Sequence, residues 1–127
     1  LWRTGMHAST LCKQEWGWES HTAILWLRPK TGKHLRATLP RDEARVILRV
    51  RVAGLLPTNT RTLRRWVARI GERAGHAGCC PLTLRHSRAV WLLDKGMPVN
   101  RVSHMLGCSY QTLERHYAQI EAARLVE

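Results

Sequence analysis

Arg85, His86 and Arg88 stand together at the start of a predicted helix, in the run Leu84-Arg85-His86-Ser87-Arg88-Ala89. An arginine presents planar N–H donors that stay charged and fit two oxygens of a phosphate at once. Free backbone N–H groups in the first turn of a helix favour the same ligand. Arg85 is therefore a candidate to hold a phosphate. Arg88, three residues on, lies near the same helix face. Other residues able to do chemistry are Tyr117 on the last predicted helix, Cys108 before it, His7 near the N-terminus, and Lys30 and Lys33 in a predicted turn. Tyrosine and cysteine can form covalent intermediates, and histidine and lysine can move protons. Each also has a plainer reading. Arg85 alone is a surface arginine, Lys30 a solvated turn lysine, and Cys108 a small buried side chain after a glycine. Tyr117 alone is a core tyrosine at helical spacing from Leu113 and Ile120.

The charge of the chain fits a polyanionic partner. Lysine and arginine number 21 against 9 acids, a formal net charge of +12 over 127 residues. Such an excess points to nucleic acid, the alternative being arginines that merely solvate helix faces. Hydrophobic residues make up 44%, which excludes a disordered chain, and one domain is expected at this length. The longest apolar runs, residues 23–27 and 89–93, are too short to span a membrane. No predicted helix joins a basic face to a long exposed apolar one, so no membrane partner is expected. Cys12, Cys79, Cys80 and Cys108, with no signal-type segment, read as free thiols in a reducing cytoplasm. Zinc held by His76, Cys79, Cys80, His86 or Cys108 has no Cys-x-x-Cys pair to support it, so neither metal nor cofactor is expected. The chain opens on Leu1-Trp2-Arg3 without a methionine, which suggests a piece of something longer.

The elements that must position these groups are mostly helical. Residues 7–13 read as a short helix. Residues 21–28 and 35–39 read as two strands joined by the turn Pro29-Lys30-Thr31-Gly32-Lys33. A helix opens after Pro40 with acids in its first turn and carries an apolar face of Leu48, Val52 and Leu55. Asn59 or Thr60 caps the next helix, which carries Leu63, Trp66, Val67 and Ile70 along with Arg61, Arg64 and Arg65. A further helix starts at Thr83 and ends at Gly96. Pro98 opens a short one that Gly107 ends, and Ser109 caps the last. The expected fold class is mainly α with a small β-hairpin.

The order of these motifs resembles the catalytic domain of the tyrosine recombinase, or phage integrase, family over nearly the whole chain. Thr4-Gly5-Met6-His7 resembles the first catalytic motif, with His7 where the family has an arginine, and Glu15-Trp16 resembles the strand entry that follows. The turn 29–33 resembles the hairpin that carries the catalytic lysine, at Lys30, with Lys33 as competitor. Residues 81–89 resemble the second arginine box, with Arg85 and His86 matching and Leu82 where a histidine is usual. Leu106-Gly107-Cys108 resembles the Leu-Gly-His motif, and Tyr117 follows Cys108 by nine residues, the common spacing to the nucleophile. The resemblance implies DNA strand cleavage and rejoining through a 3′-phosphotyrosine, without metal or nucleotide cofactor. It implies a cytoplasmic, nucleoid-associated protein of a mobile element, acting on duplex DNA as a tetramer. It also implies one catalytic domain, residues 1–127, lacking the N-terminal core-binding domain and the first catalytic-domain helix.

His7, Leu82 and Cys108 depart from the family pattern and weaken the clamp on the phosphate. Arg88 or Arg3 is the expected source of the missing positive charge. His86 and His116 flank the site as candidate proton shuttles. Arg61, Arg64, Arg65 and Lys33 are expected to hold the DNA backbone. Two readings stay open beside turnover: a decayed integrase that keeps the fold and binds DNA, and a helix-turn-helix regulator built on residues 99–116, with Gln111, Thr112 and Arg115 outward.

Overall fold

The computed structural model describes residues 1–28 and 32–126. In chain order it has α1 (Ala8–Cys12), β1 (Trp16–Trp18), β2 (Ala23–Leu27), β3 (His34–Thr38), α2 (Arg41–Val52), α3 (Thr60–Arg73), α4 (Pro81–Asp94), α5 (Val99–Leu106) and α6 (Tyr110–Val126). The mainly helical expectation holds, with one correction. The sheet has three antiparallel strands in the order β1-β2-β3, not two. Residues 16–18 are too short, with Gly17 in the middle, to show a period of two in the sequence. Pairing with β2 is what makes them a strand, in the register Trp16 to Trp26 and Trp18 to Ile24.

The register explains the first core. Trp16, Trp26 and Leu35 lie side by side across the three strands, and Ile24 joins them two residues along. All four are buried with Met6, Leu39 and Ala44, so one face of the sheet packs on α2 and the N-terminal loop. A second core joins α4, α5 and α6 through Ala89, Leu92, Leu93, Val102, Leu106 and Leu113. A third, smaller one ties α1 to α3 through Cys12, Leu63 and Val67.

Two further expectations are corrected. Leu48, Val52 and Leu55 do not form the inner face of α2. They are exposed, while Ala44 and Ile47 pack inward. α2 and α3 thus leave Val46, Val52, Trp66 and Ile70 exposed beside their arginines, contrary to the expectation that no helix joins such faces. α4 begins at Pro81 rather than Thr83, because proline suits the first helical position, where its missing N–H costs nothing. Cys80 is its N-cap, with the Cys80 N–H donating to Thr83 Oγ1 at 3.2 Å. Other ends fall where expected. Asn59 caps α3 by accepting from the Arg61 N–H at 2.7 Å, and Ser109 Oγ accepts from the Thr112 N–H at 3.1 Å.

Candidate active site

Arg85 lies in the second turn of α4, since the helix starts at Pro81. Its own N–H is therefore inside the helical ladder, and the expected help from first-turn N–H groups does not apply to it. The half-buried guanidinium instead crosses to two other segments. Nη1 donates to Gly5 O at 2.8 Å and Nη2 to Leu106 O at 2.9 Å. Leu106 ends α5, where backbone carbonyls lack helical partners and the helix dipole favours a cation. Gly5 packs so tightly on the Leu106 side chain that a Cβ there would overlap it. One side chain thus joins the N-terminal loop, α4 and the C-terminus of α5.

The charges around Arg85 are unusual. Burial pushes its guanidinium below its ordinary pKa, Cys108 opposes that shift and Arg28 adds to it. Burial pushes the Cys108 thiol up, against the pull of Arg85 and Arg28. A neutral thiol is a weak donor, so Cys108 offers a phosphate little.

Arg85 lines a cleft of about 380 Å³ with His7, Arg64, Cys80 and Leu82. The structure therefore gathers His7, Leu82 and Arg85, as the motif order implied, and adds Arg64 from α3. Cys108 lines a second cleft, of about 190 Å³, with Arg28, Lys33, His34 and His104. Arg61 and Arg65 are exposed on α3. Lys30 lies outside the described residues. Tyr117 is half-buried against the core of α4, α5 and α6, and lines neither cleft.

Arg88 and Arg3 are placed elsewhere. Arg88 lies over a pair of touching indoles, its Cζ 4.7 Å from the ring centres of both Trp2 and Trp91, which are 5.4 Å apart. Arg3 forks onto Glu43, with Nη2 donating to Oε1 at 2.9 Å and Nε to Oε2 at 3.0 Å. The charged neighbours acting on Arg85 are Cys108 and Arg28, and Arg28 is an arginine near the site that sequence reasoning missed. A signal was present, since Arg28 is the charged residue that directly follows the apolar strand β2.

His86 and His116 meet across α4 and α6, with ring centres 4.9 Å apart. Burial, then His116, then Arg85 push His86 below its ordinary pKa. Among the described residues no group of three or more His, Cys, Asp or Glu could hold a metal ion. α5 and α6 form a helix-turn-helix outline with Gln111, Thr112 and Arg115 exposed, but α5 also packs on α4 and β3, so the pair is part of the larger body. No helix among the described residues is long and apolar enough to cross a membrane.

The fold defined by this sheet and its helices is that of tyrosine recombinase catalytic domains. The XerH site-specific recombinase, solved in a post-cleavage complex with palindromic difH substrate, matches 98% of this chain and 41% of its own at a TM-score of 0.72 and 21% identity. The XerA recombinase matches 92% of this chain and 54% of its own at 0.69 and 20% identity. Tyrosine recombinase XerC of Corynebacterium efficiens is 36% identical over 69 residues, 54% of this chain and 22% of that relative. The chain thus spans about a quarter to a half of the length of the relatives it matches. The phage integrase family model matches residues 1–124, and the chain belongs to that family, the tyrosine recombinases.

Proposed function

We propose that this chain is the DNA-cleaving part of a site-specific recombinase, with Tyr117 as nucleophile and Arg85 as the phosphate clamp. The observation that carries the reading is Arg85 fixed by Gly5 O and Leu106 O within a chain that matches the family from residue 1 to 124. Two donors hold the guanidinium in place and leave others for a phosphate. The Tyr117 oxygen attacks phosphorus and loses its proton. The bond from phosphorus to the 5′-oxygen breaks, and that oxygen leaves as a hydroxyl after taking a proton. The 3′-phosphotyrosine keeps the phosphodiester's bond energy, so rejoining is the reverse step. Lys30 is the proton donor to the leaving oxygen, with Lys33 the alternative, and His86 and His116 are proton relays. Arg61, Arg64, Arg65 and Lys33 contact the duplex backbone, and copies of the chain assemble as a tetramer on two DNA sites.

One observation favours a second reading, a family member that binds DNA without turnover. The cleft around Arg85 holds His7 and Leu82, and Leu82 has nothing to donate. Covalent trapping separates the two. The chain is incubated with negatively supercoiled plasmid, quenched with detergent and scored for protein on nicked DNA, with Tyr117→Phe as control. A tyrosine-dependent adduct supports the recombinase. Salt-sensitive duplex binding without an adduct supports the binding protein.

A further inference from the structure

We infer that Arg28 is a second phosphate-contacting side chain of this active site, acting with Arg85 beside the segment 106–108. The inference rests on the proposed function and adds a residue to it.

Position comes first. Arg28 follows β2 directly, where the hairpin closes on itself. Its N–H donates to Lys33 O at 2.9 Å, and its carbonyl accepts from the Gly32 N–H at 2.9 Å. With its backbone held at both groups, its side chain runs over Gly107. A Cβ at Gly107 would lie 3.0 Å from Arg28 Cδ and 3.6 Å from Nε. Gly107 directly follows Leu106, whose carbonyl holds Arg85, and directly precedes Cys108. The two arginines therefore lie beside one short piece of backbone, one reaching it from the hairpin and the other from α4.

The chemistry follows from what surrounds them. Arg28 Nε is buried and has no hydrogen-bond partner among the described residues. No carboxylate is among the charged groups that act on Arg85 or Cys108. Glu43 and Glu19, acids on the neighbouring elements, pair with Arg3 and Arg36 instead. Two guanidiniums brought together in partial burial repel each other, and an unpaired buried donor is costly. An anion touching both removes both penalties. A phosphodiester suits the site better than a single point charge does, because two planar forks arriving from different elements match different oxygens of a tetrahedral group. The adjoining cleft is lined by Lys33, His34 and His104, which continue the positive surface that a DNA backbone would follow. His7 has at most two donors, so a second guanidinium supplies clamping that His7 lacks.

The test uses the 127-residue chain and two readouts. In the plasmid trapping assay, Arg28→Gln is expected to slow adduct formation about 10²–10³-fold, the usual loss for one donor on a transferring group. Arg28→Lys should recover part of it, with the thermal midpoint and low-salt duplex affinity close to wild type. An Arg28→Gln variant that forms adduct within about threefold of wild type overturns the inference. If the wild-type chain itself forms no adduct, the recombinase reading fails, and the second readout judges Arg28 alone. Arginine Nε–H NMR signals are followed while inorganic phosphate is added, with Arg28→Lys and Arg85→Lys assigning the peaks. Movement of both signals at the same phosphate concentration supports the paired site. An Arg28 signal that stays still, whether or not the Arg85 signal moves, overturns it.

Discussion

Replacing Gly107 with alanine should unfold this domain more readily than any change at an open glycine, because two independent penalties meet there. Gly107 caps α5 at φ +65°, a left-handed conformation that costs an L-residue about 1 kcal/mol or somewhat more. The new methyl would also lie 2.8 Å from Leu35 Cδ1 and 3.0 Å from Arg28 Cδ. Leu35 is buried in the sheet core and cannot swing away, so the overlap should add about 1–3 kcal/mol. The sum is about 2–4 kcal/mol. For a domain of this size that lowers the thermal midpoint by roughly 7–15 °C. Gly96→Ala is the matched control. Its φ is +83°, but a Cβ there meets nothing within 4 Å, so only the backbone penalty of about 1 kcal/mol applies. Both variants are measured by circular dichroism melts and by urea titration of tryptophan fluorescence. If Gly107→Ala is no worse than Gly96→Ala, the hairpin does not press on the end of α5 in solution. The approach of Arg28 to the site would fall with it.

Other consequences are more local. Asn59→Ala removes the side-chain acceptor of the Arg61 N–H and should cost about 1 kcal/mol, read as a lower urea midpoint with an unchanged slope. Arg88→Ala removes the cation over Trp2 and Trp91 and should cost about 1–2 kcal/mol. The same variant should leave the phosphate response of Arg85 intact, and a lost response would mean that Arg88 serves the site after all. His86 has a pKa below its unfolded value, so the unfolded chain takes up the proton first as pH falls. Stability is therefore full above about pH 6.5 and falls as pH drops from there toward the depressed folded pKa. His86→Gln should flatten that part of a plot of thermal midpoint against pH, and a wild-type curve already flat between about pH 7 and 5 would contradict the contact with His116.

Much of this molecule is legible in the chain because it is local. The Asn59 cap and the Gly107 stop each depend on a few adjacent residues, and each forms where the sequence places it. β1 is legible only through the resemblance at Glu15-Trp16, since three residues centred on Gly17 carry no pattern of their own. The inner face of α2 was misjudged for a related reason. Its large apolar residues suggested Leu48, Val52 and Leu55, but the sheet leaves room there only for Ala44 and Ile47. α4 started early because a proline that would interrupt a helix interior is well placed at its first position.

The sequence by itself determined the positive charge, the helical class, the order of the family's motifs and the departures at His7, Leu82 and Cys108. Only the tertiary structure decided which arginines converge. Arg88 and Arg3 looked suitable because they are near Arg85 or the N-terminal motif in sequence, yet indole faces and Glu43 hold them. Arg28 reaches the site because the hairpin folds over a glycine far along the chain. Side chains brought together by packing have no common period or spacing, so their meeting is fixed by the cores that dock hairpin, α4 and α5, and not by any local run of residues.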